Sequence, residues 1–318
     1  MNLYEQQKKN KRITAILIIA FLLLLGAVGF LVDKYYFYTM DAAGGIPVVT
    51  LIALGIAGAN SFVSYFYGDK LVLSSLRAVP LSFEDLSHKK LHNIVTEMAL
   101  ASGLPMPKVY VIEDPAPNAF ATGRNPQNAS IGVTEGLLNI MNREELQGVI
   151  AHEMSHIKNY DIRTMTVVTV LLGTIVLLAD WASRSMYYGR QRRDSKSKGG
   201  HPAVVIILLV LVVLSPIISR IIAMAVSRQR EYLADASAAE LTRHPLGLAV
   251  ALEKIAKANS PVMSAHKGTA HLFISDPLHR KLDNKEGIVA DIFSTHPPIE
   301  KRIEILKNMA YINTSKTG

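Results

Sequence analysis

Five consecutive residues, His152-Glu153-Met154-Ser155-His156, have the types and the spacing for metal-assisted hydrolysis. On an α-helix, residues four apart lie on one face, so the two imidazoles can converge on one point. A tetrahedral zinc ion needs ligands presented in that way. Glu153 stands about 100° round the helix from His152. Its carboxylate then points beside the metal, where it can take a proton from a water there. Zinc lowers the pKa of such a water to about 7 and polarises a substrate carbonyl. A chain of this composition contains H-E-x-x-H by chance in roughly one case in a hundred. Ile150, Ala151 and Ile157 flank the motif with apolar side chains, which suits a helix with a buried side better than a solvated one.

A third protein ligand is needed, and it cannot be a thiolate, because the chain has no cysteine. Glu231, Glu240, Asp161 and His201 all have suitable chemistry, and spacing alone does not choose among them. Glu231 and Asp235 are four apart, so they share a helix face. Glu231 can bind the metal while Asp235 accepts a hydrogen bond from the other nitrogen of a ligand histidine and fixes its tautomer.

The elements that must position these groups are partly apolar. Hydrophobic residues make up 49% of the 318, and mean hydropathy is +0.23, high for a soluble enzyme. Residues 13–32 form an uncharged run of roughly 30 Å as a helix, enough to cross the hydrocarbon core. Lys8, Lys9, Lys11 and Arg12 precede it. The run is too long for a cleaved signal sequence and reads as a retained anchor. A second uncharged run covers residues 42–68, and Lys34 is the only basic residue between the two. That bias places the N-terminus in the cytoplasm. The net charge of +8 sits beside apolar runs, which points to lipid headgroups; no nucleic-acid motif accompanies it.

Residues 70–163 read as a soluble α+β segment. Helical spacing covers 91–102 with Gly103 as its stop, strands are expected at 108–112, 118–122 and 130–133, and Asn142 caps the helix that carries the histidine pair. Apolar runs at 164–179 and 199–219 then flank a basic loop with Arg184, Arg190, Arg192, Arg193, Lys196 and Lys198. Two spans are favoured here, although that loop then breaks the positive-inside rule; a hairpin lying on the protein is the alternative. An even number of crossings leaves His156 and residue 220 on one side in either case. Helices are expected at 227–241, 246–258 and 297–309. The domain plan is therefore an anchor at 1–69, protease-domain halves at 70–163 and 220–318, and an apolar insertion at 164–219.

Taken together, Asn118-Ala119-Phe120-Ala121-Thr122-Gly123, Val133-Thr134-Glu135-Gly136, Ala151-His152-Glu153, Glu231-Tyr232-Leu233-Ala234-Asp235 and Ser294-Thr295-His296-Pro297-Pro298 are specific. With them, the chain resembles the HtpX family of bacterial and archaeal membrane zinc metalloproteases, which is related to the CAAX prenyl proteases. The resemblance implies a mainly α fold with a small β-sheet, a gluzincin-type protease domain with N-terminal transmembrane helices and an apolar hairpin between its zinc ligands. It selects Glu231 as the third ligand of one zinc ion per chain, beside His152 and His156, with Glu153 as general base and Asp235 behind a ligand histidine. It marks Asn118, Ala119, Phe120 and Ala121 as an edge strand for an extended substrate; a purely structural strand is the alternative. His296 either donates to the oxyanion or caps the last helix. The implied activity is an endopeptidase acting on misfolded or damaged membrane proteins at the cytoplasmic side of the inner (plasma) membrane. The alternatives are a CAAX-type prenyl-protein protease and a non-catalytic membrane adaptor.

Overall fold

Two long apolar helices, α1 (Leu3–Tyr36) and α2 (Val48–Ser75), open the chain. The structure is a computed structural model and describes residues 3–36, 46–191, 228–258, 260–265, 269–277 and 297–315. At 34 residues, α1 is about 51 Å long, well beyond the roughly 30 Å of hydrocarbon. Its first turns therefore extend past the bilayer as continuous helix. The two helices pack closely at Gly29, where a Cβ would come within 2.7 Å of the Thr50 Cα. Asp33 caps α2, accepting from the backbone N–H groups of Val49 and Thr50 at 3.0 and 2.7 Å. A carboxylate at a helix N-terminus satisfies donors that have no partner within the helix.

A third apolar helix, α6 (Asp161–Gln191), packs against both, and its first part, Asp161–Leu178, is long and apolar enough to cross a membrane. This helix departs from the sequence reading. Instead of ending near 179 it continues through Asp180 and Arg184 to Gln191, into the expected basic loop. Charged residues do not break a helix, and no proline interrupts the stretch. The apolar run at 199–219 and the residues Ser294 to His296 lie outside the described residues.

The chain between α2 and α6 builds a four-stranded sheet. Its strands are β1 (Val79–Pro80), β2 (Lys108–Ile112), β3 (Ala119–Gly123) and β4 (Ala129–Thr134), in the order β1-β2-β4-β3. β2 and β4 run parallel, and β3 pairs antiparallel with β4 at the sheet's edge. The alternating run at 108–112 is found as expected; β3 is shifted by one residue and β4 is longer by one at each end. The sequence reading did not include β1 or the short α4 (Glu135–Ile140).

Helices α3 (Leu86–Ser102) and α5 (Arg143–Lys158) share a core with the sheet, built from Leu91, Ile94, Val95, Ile131, Val133, Leu146 and Ile150. Gly103 ends α3 at φ +68°, in the left-handed region that suits glycine. At the start of α5, Asn142 and Glu145 form a reciprocal capping box. Helices α7 (Arg228–Thr242) and α8 (Pro245–Ala258) cover the other side of α5, and α9 (Ile299–Ser315) closes on α8. The close approach of α8 depends on Gly148, where a Cβ would lie 2.7 Å from the Leu248 backbone nitrogen. This packing turns one face of α7 onto the histidine-bearing face of α5.

Candidate metal centre

His152 and His156 lie on one face of α5, as the four-residue spacing requires. Their Nε2 atoms are 3.2 Å apart. Across from them, α7 presents Glu231, with Oε2 3.8 Å from His152 Nε2 and Oε1 3.6 Å from His156 Nε2. All three residues are buried. Ligands at about 2.0–2.1 Å round a tetrahedral ion lie roughly 3.3 Å from one another. The spacing therefore fits a metal, and among the described residues these three form the group that could hold one.

Each histidine is supported from behind on its other nitrogen. His152 Nδ1 lies 2.9 Å from Asp235 Oδ1, and His156 Nδ1 lies 3.0 Å from Asp161 Oδ2. Both carboxylates in turn face an arginine. Arg302 spans Asp235 with two hydrogen bonds, and Arg230 lies 3.4 Å from Asp161. Such partners fix the tautomer and the ring orientation, leaving each Nε2 free for the metal.

The electrostatics suit a cation at this point. Burial pushes the Glu153 carboxyl up to about 8, a rise that nearby His156 only partly offsets. Neither of its carboxylate oxygens has a hydrogen-bond partner among the described residues. A buried carboxylate without a partner is costly unless something binds there. Burial works against charge on His156, yet its bond to Asp161 and the negative charges of Glu231 and Asp161 take it up to about 9. Burial keeps His152 below the usual histidine range despite Asp235. Burial also works against charge on Asp235, but Arg302 outweighs it and holds Asp235 below the usual carboxylate range.

The rival ligands fall elsewhere. Glu240 is exposed on α7, and Asp161 is engaged with Nδ1 of His156. His201 and His296 lie outside the described residues. Among the described residues, His271 is buried against Thr169, and His244 pairs with Glu144 at the surface.

Asn118 to Ala121 do sit at the sheet edge, and an antiparallel bridge already links Phe120 to Phe273. Ile274 donates its N–H to the Ala119 carbonyl at 2.9 Å, and Asn118 Nδ2 donates to the Ser275 carbonyl at 3.1 Å. The expected strand is thus in place, with the chain's own residues 273–275 paired along its outer side.

A family model described as peptidase family M48 matches residues 85–310. The chain belongs to peptidase family M48. The family assignment and the geometry agree: this is a membrane metalloprotease whose substrates are polypeptides. A protein named "Protease HtpX homolog" from Caldanaerobacter subterraneus subsp. tengcongensis is 48% identical over 309 residues, covering 96% of this chain and 98% of the relative. One of the same name from Streptococcus uberis is 41% identical over 315 residues, 96% of this chain and all of the relative. The crystal structure of S. mikatae Ste24p superposes with a TM-score of 0.53 at 17% identity, over 95% of this chain and 67% of that one. At that identity the likeness is one of fold. It supports an M48 architecture with apolar helices packed round a small mixed sheet.

Two residues of the site were not assigned these roles in the sequence. In the sequence Asp161 stands only as a candidate ligand, and Arg302 has no assigned role. His156 and Asp161 are five apart across the break between α5 and α6, so helical spacing says nothing of them. The signal in Arg302 is its burial, at 1% exposed, which only the fold reveals.

Proposed function

We propose that the chain is a zinc-dependent endopeptidase, with one zinc ion per chain held by His152, His156 and Glu231. It cleaves exposed or misfolded stretches of membrane proteins at the cytoplasmic face of the plasma membrane. The observation that carries this is the convergence of the two Nε2 atoms with the Glu231 carboxylate, beside a buried and unpartnered Glu153. The donor set of two imidazoles and a carboxylate is one that zinc takes in hydrolases.

A bound zinc ion would supply Lewis acidity, favouring deprotonation of water and polarising the scissile carbonyl. The positive charge would also stabilise the ionised form of Glu153. Glu153 then accepts the proton of the attacking water and delivers it to the leaving amine, so one water is consumed for each peptide bond cut. Asp235 and Asp161 hold the histidine rings in register throughout.

An extended substrate adds to the outer edge of β3 through the backbone of Ala119 and Ala121, in place of residues 273–275. Backbone pairing recognises extended chain and not a particular side chain, which suits unfolded segments. The four basic residues ahead of α1, against one between α1 and α2, support an N-terminus and protease domain in the cytoplasm. The division into an anchor at 1–69, protease halves at 70–163 and 220–318 and an apolar insertion at 164–219 is part of this reading.

Glu153→Gln tests the mechanism. The variant is expected to keep its zinc and lose nearly all cleavage of casein. Cleavage at the wild-type rate would overturn the role of Glu153. Zinc at one per chain with no turnover by the wild type would favour an adaptor instead.

A further inference from the structure

The first three turns of α1 are polar, yet one face of them is buried. Gln6, Asn10 and Thr14 are 3%, 1% and 3% exposed. They lie against the turn between α5 and α6, just after His156. Gln7 Nε2 donates to the Lys158 carbonyl at 2.8 Å. Asn10 Nδ2 donates to the Asn159 carbonyl at 2.9 Å and to Asp161 Oδ1 at 2.6 Å. Lys11 lies over the Tyr160 ring at 4.6 Å, and Tyr160 itself is held at φ +60°. One turn further on, Thr14 and Thr164 share a hydrogen bond of 3.0 Å.

The Asp161 carboxylate joins these contacts to the metal centre. Its Oδ2 faces His156 Nδ1, and its Oδ1 takes the Asn10 amide, with Arg230 more distant at 3.4 Å. We infer that Asn10 is a positioning residue of the metal centre: its amide holds Asp161 in the orientation that fixes the ring of His156. The N-terminal membrane helix is then a part of the site as well as its tether. This rests on the reading that His152, His156 and Glu231 hold a metal.

The physical argument is one of alternatives. Among the described residues, the buried Oδ1 without Asn10 keeps only the longer Arg230 contact. A buried carboxylate oxygen that loses a donor pays its desolvation cost or turns toward another partner. Either response loosens the bond that orients His156. A merely structural role for Asn10, gluing α1 to the α5–α6 turn, predicts something different. Thr14 and Thr164 join the same helices without touching Asp161, so breaking their bond should weaken the packing and spare the metal.

The test uses the full chain purified in detergent and loaded with zinc or cobalt(II). Affinity is read by competition with a chelator, and the ligand field by the visible spectrum of the cobalt form. Asn10→Leu and Asn10→Ser are expected to lower zinc affinity about tenfold, at the low end for groups behind a ligand histidine. Both should also shift the cobalt spectrum. Thr14→Val should stay within about twofold of wild type with an unchanged spectrum. If both Asn10 variants bind zinc as wild type does, or Thr14→Val loses as much affinity as they do, the inference is overturned. A wild-type chain that binds no metal would overturn the metal reading itself, which separates the two failures.

Discussion

Arg302 closes on both oxygens of Asp235, with Nε 2.8 Å from Oδ2 and Nη2 2.7 Å from Oδ1. The same guanidinium lies 3.7 Å from Glu231 Oε2 and donates to the Ile274 carbonyl at 2.7 Å. One fully buried side chain thus touches Glu231, the partner of His152 and the segment along the outer side of β3.

Arg302→Met should therefore do two things. It leaves Asp235 buried without its counter-charge, which costs about 3–5 kcal/mol of stability. It also frees Asp235 to draw a proton onto His152, so zinc affinity should fall by about tenfold or more. Thermal melting of the metal-free chain and chelator competition check the two effects separately. A variant that melts with wild type would show that the ion pair does not support the fold.

Metal binding should depend on pH with a definite sign. In the metal-free chain His156 is held protonated up to about 9, and the metal needs its neutral ring. Below that pH, binding must expel the proton, so apparent affinity rises as pH rises and levels off above about 9. The slope from this one proton is about tenfold per pH unit. Zinc titrations from acid to alkaline conditions against a chelator of known protonation check it. A flat profile below 8 would mean that His156 is already neutral.

The segment at residues 273–275 should respond to substrate. With zinc-loaded Glu153→Gln and a bound, uncleaved peptide, amide exchange over residues 273–275 should speed up as the Ile274 N–H leaves the Ala119 carbonyl. Hydrogen exchange read by mass spectrometry reports this directly. Slower exchange there would mean that substrate binds without displacing the segment, and the edge-strand reading would fall.

The cysteine-free chain makes orientation simple to measure. Glu84 is exposed between β1 and α3, on the protease side of α2. Glu84→Cys should react with an impermeant maleimide in inverted membrane vesicles and stay protected in intact cells. Labelling of intact cells would place the protease domain outside.

Much of this molecule was legible as sequence because helix and strand periods are set by covalent geometry. The pairing of His152 with His156, the cap at Asn142, the stop at Gly103, the strand at 108–112 and the apolar length of α1 each follow from residues a few positions apart. The extent of α6 was not legible in this way, because clustered charges look like a loop while remaining compatible with a helix. Spacing also left Glu231 in competition with Glu240, Asp161 and His201, and resemblance had to choose among them. The tertiary structure separates them physically. Packing of α7 on α5 turns Glu231 inward and Glu240 outward, and the break after His156 swings Asp161 behind the ring. Asn10 and Arg302 depend still more on the fold, since they reach the centre from chain ends 292 positions apart (302 − 10). Two histidines on one turn of helix are a local fact. Glu231 and the groups behind the two histidines join them only when distant helices bury their polar faces against one another.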